Sequence, residues 1–277
     1  MEDFFPDALL ADLKNLINKK SGILLKGLKL ECLRGRAIDR CMQLSATPEE
    51  FISRLSGNQH ELGDLISGLV NQETYFFRDR AQLAAFSSLL KEIAARKSGA
   101  GDRYLKVLSA GCAAGEEPYS LNILITESGL FAGWNVNVAG VDISRFSIAR
   151  AREAVYRENS VRLAPEETRL KEKYFNRIEG GRLALKPQWK NNVSFRTGNL
   201  MDEDTYDGLA NLDFIFCRNI FIYMQPEAVK KITAHFRRCI SPRGYFFAGC
   251  SDPMGEILTG FKPVRTGGGL YYRMGQG

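Results

Sequence analysis

The chain reads as an α/β protein: a mostly parallel sheet covered on both faces, with an antiparallel edge at its C-terminal end, preceded by a small all-helical domain. Three observations predict this. Before residue 70 the apolar residues recur only at helical spacing. From about residue 104 short β-rich runs alternate with helical stretches. The last two such runs, residues 245–248 and 270–273, have no clear helix between them.

Taken in order, Leu9, Leu10, Leu13, Leu16 and Ile17 mark a first helix, and Leu30, Leu33, Ala37, Cys41 and Leu44 share one face of a second. Thr47-Pro48-Glu49-Glu50 is a helix start, with Thr47 as N-cap, Pro48 in the first turn and Glu50 at the capping-box position. Leu62, Leu65, Ile66 and Leu69 continue the helical pattern. Residues 1–75 thus form the helical domain and its linker, and residues 76–277 the α/β domain. Within the latter, residues 104–108 predict a strand ending in a Gly-containing turn, 117–126 a helix, 136–141 a strand and 144–156 a helix. Residues 212–217 form a further buried strand, and 226–238 a helix. Residues 174–195 break the rhythm. There Glu179-Gly180-Gly181-Arg182 is followed by Leu183 and Leu185 in alternation, which predicts an inserted β-hairpin subdomain.

At 277 residues, with 44% hydrophobic and 25% charged, the chain can bury a sizeable core, which excludes disorder, collagen-like repeats and a disulfide scaffold. The net charge of +6 is small, but its placement is uneven. From Lys14 to Arg40, eight basic residues face two acids, so this stretch alone carries +6 and the remainder is balanced. Six scattered cysteines without a C-x-x-C pair, together with only two histidines, predict no metal site and a reducing compartment. The acidic start lacks the features of a signal peptide and no apolar run reaches membrane-spanning length, so a cytoplasmic, soluble chain is expected.

The most informative stretch runs from Val107 through Gly111, Gly115, Glu116, Glu117 and Pro118 to Ser120. A strand, a Gly-bearing turn and a helix start form a cradle for a nucleotide-like ligand, although glycines at such a turn are as often purely structural. The spacing is G-x-x-x-G, and the helix opens with two acids. Acids at a helix N-terminus repel a pyrophosphate placed there, whereas a ligand with a sulfonium and an ammonium, such as S-adenosylmethionine, tolerates them. Asp142 ends the next strand, where a carboxylate can accept from both ribose hydroxyls, serve as a helix N-cap, or do both.

With these blocks in view, the sequence resembles the chemotaxis receptor glutamate methyltransferases, the chemotaxis methyltransferase R family. The matching blocks are residues 71–79 (Asn-Gln-Glu-Thr-Tyr-Phe-Phe-Arg-Asp), 109–120, Gly198-Asn199-Leu200, 216–223 (Phe-Cys-Arg-Asn-Ile-Phe-Ile-Tyr) and 244–251, in the family's order over essentially the whole chain. The resemblance implies a Rossmann-like S-adenosylmethionine-dependent methyltransferase domain with an inserted small β subdomain, after a helical N-terminal domain. It implies cofactor contacts from Gln72, Thr74, Arg78, Gly111, Glu116, Asp142, Asn199, Leu200, Arg218 and Asn219, with Glu117 an alternative to Glu116 at the methionyl ammonium. Arg78 and Tyr223 are the implied catalytic residues, and Arg78 or Arg218 would hold the substrate carboxylate. Gln72 stands where the family usually has Asn. The hairpin lacks the Gly-x-Gly tip that binds a receptor's C-terminal pentapeptide tether in some members, so tether capture is not expected.

The implied reaction is transfer of methyl from S-adenosylmethionine to glutamate carboxylates on the cytoplasmic helical bundle of methyl-accepting chemoreceptors, releasing S-adenosylhomocysteine. Lys29, Arg36 and Arg40 lie seven and four residues apart and would form a strip that docks that acidic bundle. A methyltransferase acting on nucleic acid or an amine is disfavoured, because the strand end Arg218-Asn219-Ile220-Phe221 lacks the Pro-Pro of such enzymes. No nucleic-acid partner and no membrane insertion are expected. A cofactor-binding regulator without turnover stays open as an alternative.

Overall fold

The computed structural model describes residues 4–69, 73–163, 168–253, 260–266 and 269–275. The helical domain holds α1 (Asp7–Ser21), α2 (Leu28–Leu44), α3 (Pro48–Gly57) and α4 (Gln59–Ser67). The stripe residues expected from the sequence do converge: Leu13, Ile17, Leu33, Ala37, Cys41 and Ile66 are fully buried in one cluster, which also takes in Phe51. Helix α3 starts as its sequence requires. Thr47 Oγ1 accepts the Glu50 N–H at 3.3 Å while the Glu50 carboxylate accepts the Thr47 N–H at 2.8 Å, a reciprocal cap of a kind that contributes on the order of 1 kcal/mol.

Helix α5 (Arg80–Gly99) follows, a 20-residue element for which the sequence reading assigns no structure. Its buried positions mix Leu83, Phe86, Leu90 and Ile93 with Gln82, Ala85 and Ala94, and the small and polar members blur the helical period. Next come β1 (Tyr104–Ala110), α6 (Glu116–Ser128), β2 (Asn135–Asp142) and α7 (Arg145–Glu153). Further along are β3 (Val155–Arg157), α8 (Thr168–Tyr174), β4 (Phe175–Ile178), β5 (Arg182–Leu185), β6 (Val193–Thr197) and β7 (Leu212–Cys217). The last elements are α9 (Pro226–Cys239), β8 (Ile240–Ala248), β9 (Phe261–Thr266) and β10 (Gly269–Met274).

Seven strands form one sheet in the order β6-β2-β1-β7-β8-β10-β9. The first five run parallel, whereas β10 is antiparallel to both β8 and β9, the edge expected from the sequence. Side-chain alternation along β1 divides the core: Leu105 and Val107 pack with α5 and α6, and Leu108 and Ala110 with α9. Strands so apolar on both faces suit a sheet covered on both sides.

The inserted subdomain differs from a simple hairpin. Helix α7 ends at Glu153 because Ala154 turns left-handed, φ 55°, and Val155 and Tyr156, poor helix formers, continue as β3. The subdomain is therefore a three-stranded antiparallel sheet, β3-β5-β4, with β5 paired on both edges. Strand β6, at the end of residues 174–195, belongs instead to the main sheet.

Strand order reverses at β1, with β2 and β6 on one side and β7 and β8 on the other. In an open sheet of this kind the crevice outside the carboxyl ends of the strands is where ligands bind. The helical domain closes one side of it. The Leu24 N–H donates to the Tyr223 carbonyl at 2.7 Å and the Gln225 N–H to Gly22 at 3.0 Å. Asn199 Nδ2 reaches the Lys20 carbonyl at 2.8 Å, and Arg145 pairs with Asp64 at 2.7 Å.

Candidate active site

A cleft opens at the carboxyl ends of β1, β2, β6 and β7, walled by Ser21 and Ile23 of the helical domain. Thr74, Arg78, Gly111, Asp142, Asn199, Leu200, Arg218, Asn219 and Tyr223 all line it. These positions are scattered over 150 residues of sequence; the parallel strands deliver their C-terminal loops to one edge of the sheet, and Thr74 and Arg78 come from the linker before α5. Gln72 lies outside the described residues.

The turn after β1 is built from left-handed residues, Gly111 (φ 74°), Ala113 (φ 46°) and Gly115 (φ 92°). Gly111 faces the cleft, and a Cβ there would meet Ile220 Cδ1 at 2.5 Å. Gly115 has a packing role: its Cβ would strike Ala151 at 2.9 Å. The turn is clamped to β2, since the Gly111 and Cys112 N–H groups donate to the Val141 carbonyl and the Ala113 N–H to Asp142 Oδ2 at 2.9 Å. Asp142 Oδ1 takes the Ser144 N–H at 2.9 Å. Burial raises the Asp142 carboxyl above its ordinary range, and those two N–H groups pull it back. Each carboxylate oxygen keeps a free acceptor site beyond these bonds. Helix α7 is capped by Ser144, which accepts the Ser147 N–H, so Asp142 is not its N-cap.

Of the two acids opening α6, the one that reaches the cleft is Glu117, not Glu116. Consecutive helical residues point about 100° apart, and of these two only Glu117 turns toward the cavity. Glu117 accepts from Ser109 Oγ at 2.6 Å and from Arg218 Nε at 2.5 Å. Glu116 is instead 3% exposed with Oε2 unpartnered, and burial pushes its pKa up to about 7.

Arg218 is 7% exposed, with Nε on Glu117 and Nη1 meeting the Arg78 carbonyl at 2.9 Å, Gln82 Oε1 at 3.4 Å and Asp79 at 3.5 Å. It ties the linker to α6 at the cleft wall. Arg78 also lines the cleft and donates to the Glu73 carbonyl at 2.9 Å. The linker carrying it is bent by left-handed Phe77 and Asp79 (φ 60° and 58°) and pinned by the Phe77 N–H on Ser120 Oγ at 2.9 Å.

The basic strip is less uniform than its spacing suggests. Lys29 lies over the ring of Tyr223, a residue that lines the cleft, with Nζ 4.2 Å from the centroid. Arg36 is exposed, its guanidinium over Gly68. Arg40 is a structural partner: with Arg54 it neutralises Glu61, a carboxylate only 6% exposed, at 3.0 and 2.7 Å. The reading from sequence also misses Gln82, fully buried with Nε2 on the Ala248 carbonyl at 2.6 Å, and Asp252, buried at the end of β8. An acid three residues after a glycine at a strand's carboxyl end, Gly249-x-x-Asp252, is the signal that could have pointed to the latter.

Residues 72–267 match the family model described as CheR methyltransferase, SAM binding domain. The chain belongs to the CheR methyltransferase family. A probable biofilm formation methyltransferase of Pseudomonas putida KT2440, WspC, is 34% identical over 81% of the chain and 52% of its own length. The chain thus spans about half the length of that relative, and half of the Pseudomonas aeruginosa WspC, which is 33% identical over 78% of the chain. A chemotaxis protein methyltransferase of Vibrio parahaemolyticus is 29% identical over 95% of both chains. The CheR domain is an S-adenosylmethionine-binding methyltransferase domain, and the donors in this cleft fit that cofactor. Three carboxylates, Glu73, Glu117 and Asp142, line the cavity, acceptors that suit an ammonium, a sulfonium and ribose hydroxyls.

Proposed function

We propose that the chain methylates glutamate side-chain carboxylates on the cytoplasmic helical bundle of chemoreceptors, giving glutamate methyl esters in sensory adaptation. The observation that carries this reading is the arrangement of the cleft. Glu117 and Asp142 line it together with Arg78 and Tyr223, and Lys29 lies over the Tyr223 ring. Relatives named for chemotaxis and for biofilm formation support a sensory methyltransferase with either output.

When bound, S-adenosylmethionine supplies a methyl carbon on a cationic sulfur that a carboxylate oxygen can displace. Asp142 accepts from the ribose hydroxyls, Glu117 from the methionyl ammonium, and Asn199 and Leu200 flank the adenine. Thr74 closes the cleft from the linker. A glutamate with an ordinary pKa of about 4.3 is already ionised at neutral pH, so no general base is needed. The residues at the mouth have a different task, to desolvate and align the carboxylate. Arg78 offsets its charge, and the Tyr223 hydroxyl orients it. Arg36, and Lys29 at the near end of the same helix, steer the acidic bundle to the mouth.

The turn between β4 and β5, Glu179-Gly180-Gly181, lacks a Gly-x-Gly tip, so the receptor is engaged without a tail-peptide tether. Among the described residues no helix is long and apolar enough to cross a membrane. Incubating the protein with methyl-labelled cofactor and receptor-containing membranes should label the receptor with base-labile groups that leave as methanol. Base-stable label, or label on nucleic acid, would overturn the reading.

A further inference from the structure

The 3-10 turn Phe221–Tyr223 brings Tyr223 to the cleft, yet Ile220 at its N-cap offers no side-chain cap. Its opening N–H groups are answered from another segment. Asp252, 8% exposed, accepts the Ile222 N–H on Oδ1 at 3.1 Å and the Asn219 N–H on Oδ2 at 3.0 Å. The same Oδ2 takes the Gly249 N–H at 2.7 Å. Asn219 is held in a left-handed conformation, φ 58°, a strained state for a non-glycine residue that persists only where its surroundings over-determine it. A Cβ on Gly249 would meet Asn219 N at 2.6 Å and Asp252 Oδ2 at 2.8 Å, so glycine alone lets the end of β8 lie this close to the loop.

Only an acid satisfies this arrangement. A carboxylate is acceptor-only at both oxygens, whereas an amide would set its own NH2 against an N–H donor. Bonds from N–H groups to an ionised carboxylate are also roughly twice as strong as neutral ones. The loop they fix supplies Asn219 and Tyr223 to the cleft, and its Tyr223 carbonyl seats the helical domain through Leu24.

We propose that Asp252 is a positioning residue for methyl transfer, acting through Asn219 and Tyr223 by fixing the loop after β7; this rests on the function proposed above. The test is a double-mutant cycle of Asp252→Asn and Tyr223→Phe, read as kcat and KM on receptor membranes. Alone, D252N should lower kcat at least tenfold with receptor KM within threefold. In the Y223F background it should cost less than threefold, because the residue it positions has already lost its hydroxyl. Multiplicative losses, or a D252N variant with wild-type kcat, would overturn the proposal. Hydrogen exchange of the wild-type Asn219 and Ile222 amides provides a readout that requires no variant to fold. Both should be protected by at least a hundredfold, and exchange near the solvent rate would also refute it. Should wild-type protein methylate no receptor, the functional reading fails. The exchange measurement and the S-adenosylhomocysteine affinity of D252N, expected to fall at least threefold, then decide whether Asp252 orders the cleft.

Discussion

Glu117 and Arg218 meet at 2.5 Å beside the cleft, joining the first turn of α6 to the end of β7. Their side chains are 13% and 3% exposed, so water screens the pair little. Through Arg218 the contact extends to the Arg78 carbonyl and Gln82, which ties the linker to the sheet. One ion pair therefore shapes the wall of the cleft as well as its charge.

Removing one partner of such a pair leaves an uncompensated buried charge. Glu117→Gln should lower unfolding stability by about 3 kcal/mol, at the lower end for breaking a buried pair. Urea unfolding measures that loss. S-adenosylhomocysteine affinity should fall at least tenfold by calorimetry. Arg218→Lys should not restore the wild-type value, because an ammonium cannot reproduce the guanidinium's fork of contacts to Glu117, Arg78 and Gln82.

Asp142→Ala should weaken S-adenosylhomocysteine binding by at least thirtyfold in calorimetry. The substitution removes the proposed ribose acceptor and also frees the Ala113 and Ser144 N–H groups that shape the turn. Unchanged affinity would remove Asp142 from the site.

Glu116 gives a pH signature. Its folded pKa of about 7 lies above its ordinary value of 4.5 because burial penalises the carboxylate. Between those values the native state binds more protons than the unfolded one, so stability from this group is lost as pH rises from about 4.5 to 7. The full loss is on the order of 3 kcal/mol, reached above pH 7. Glu116→Gln should flatten this slope, matching wild type near pH 4.5 and exceeding it at pH 8. Urea titrations across that range check it, and parallel curves for the two proteins would show that Glu116 does not titrate there.

Arg36→Glu should lower receptor methylation severalfold at low salt, with the deficit shrinking as ionic strength rises, since it acts through association. Arg40→Glu should behave differently. Placed against the buried Glu61, it should lower the melting temperature by several degrees whatever the salt. Equal receptor methylation by Arg36→Glu and wild type at low salt would make the strip an ordinary solvated face.

Much of the architecture was legible in the sequence because it rests on local rules. Period and caps place α1 to α3, alternation of strand and helix predicts the parallel sheet, and glycines with acids at strand ends mark Gly111 and Asp142. Helix α5 escaped because small and polar residues share its buried face, and β3 because three residues pairing with a distant strand carry no period of their own. In the site, adjacency in sequence could not separate Glu116 from Glu117.

By itself, then, the sequence determined the fold class through residue type and short-range spacing, while its resemblance to a known family pointed to the cofactor and to the blocks that build the cleft. Tertiary structure alone decided which acid lines the cleft and that Arg218 is enclosed in an ion pair. It also decided that Arg40 belongs to Glu61 and that Asp252 caps a loop 30 residues away. Each of these is a contact between segments far apart in the chain. Such a pairing is settled by how elements pack and exclude water, and the residue types alone leave several partners open.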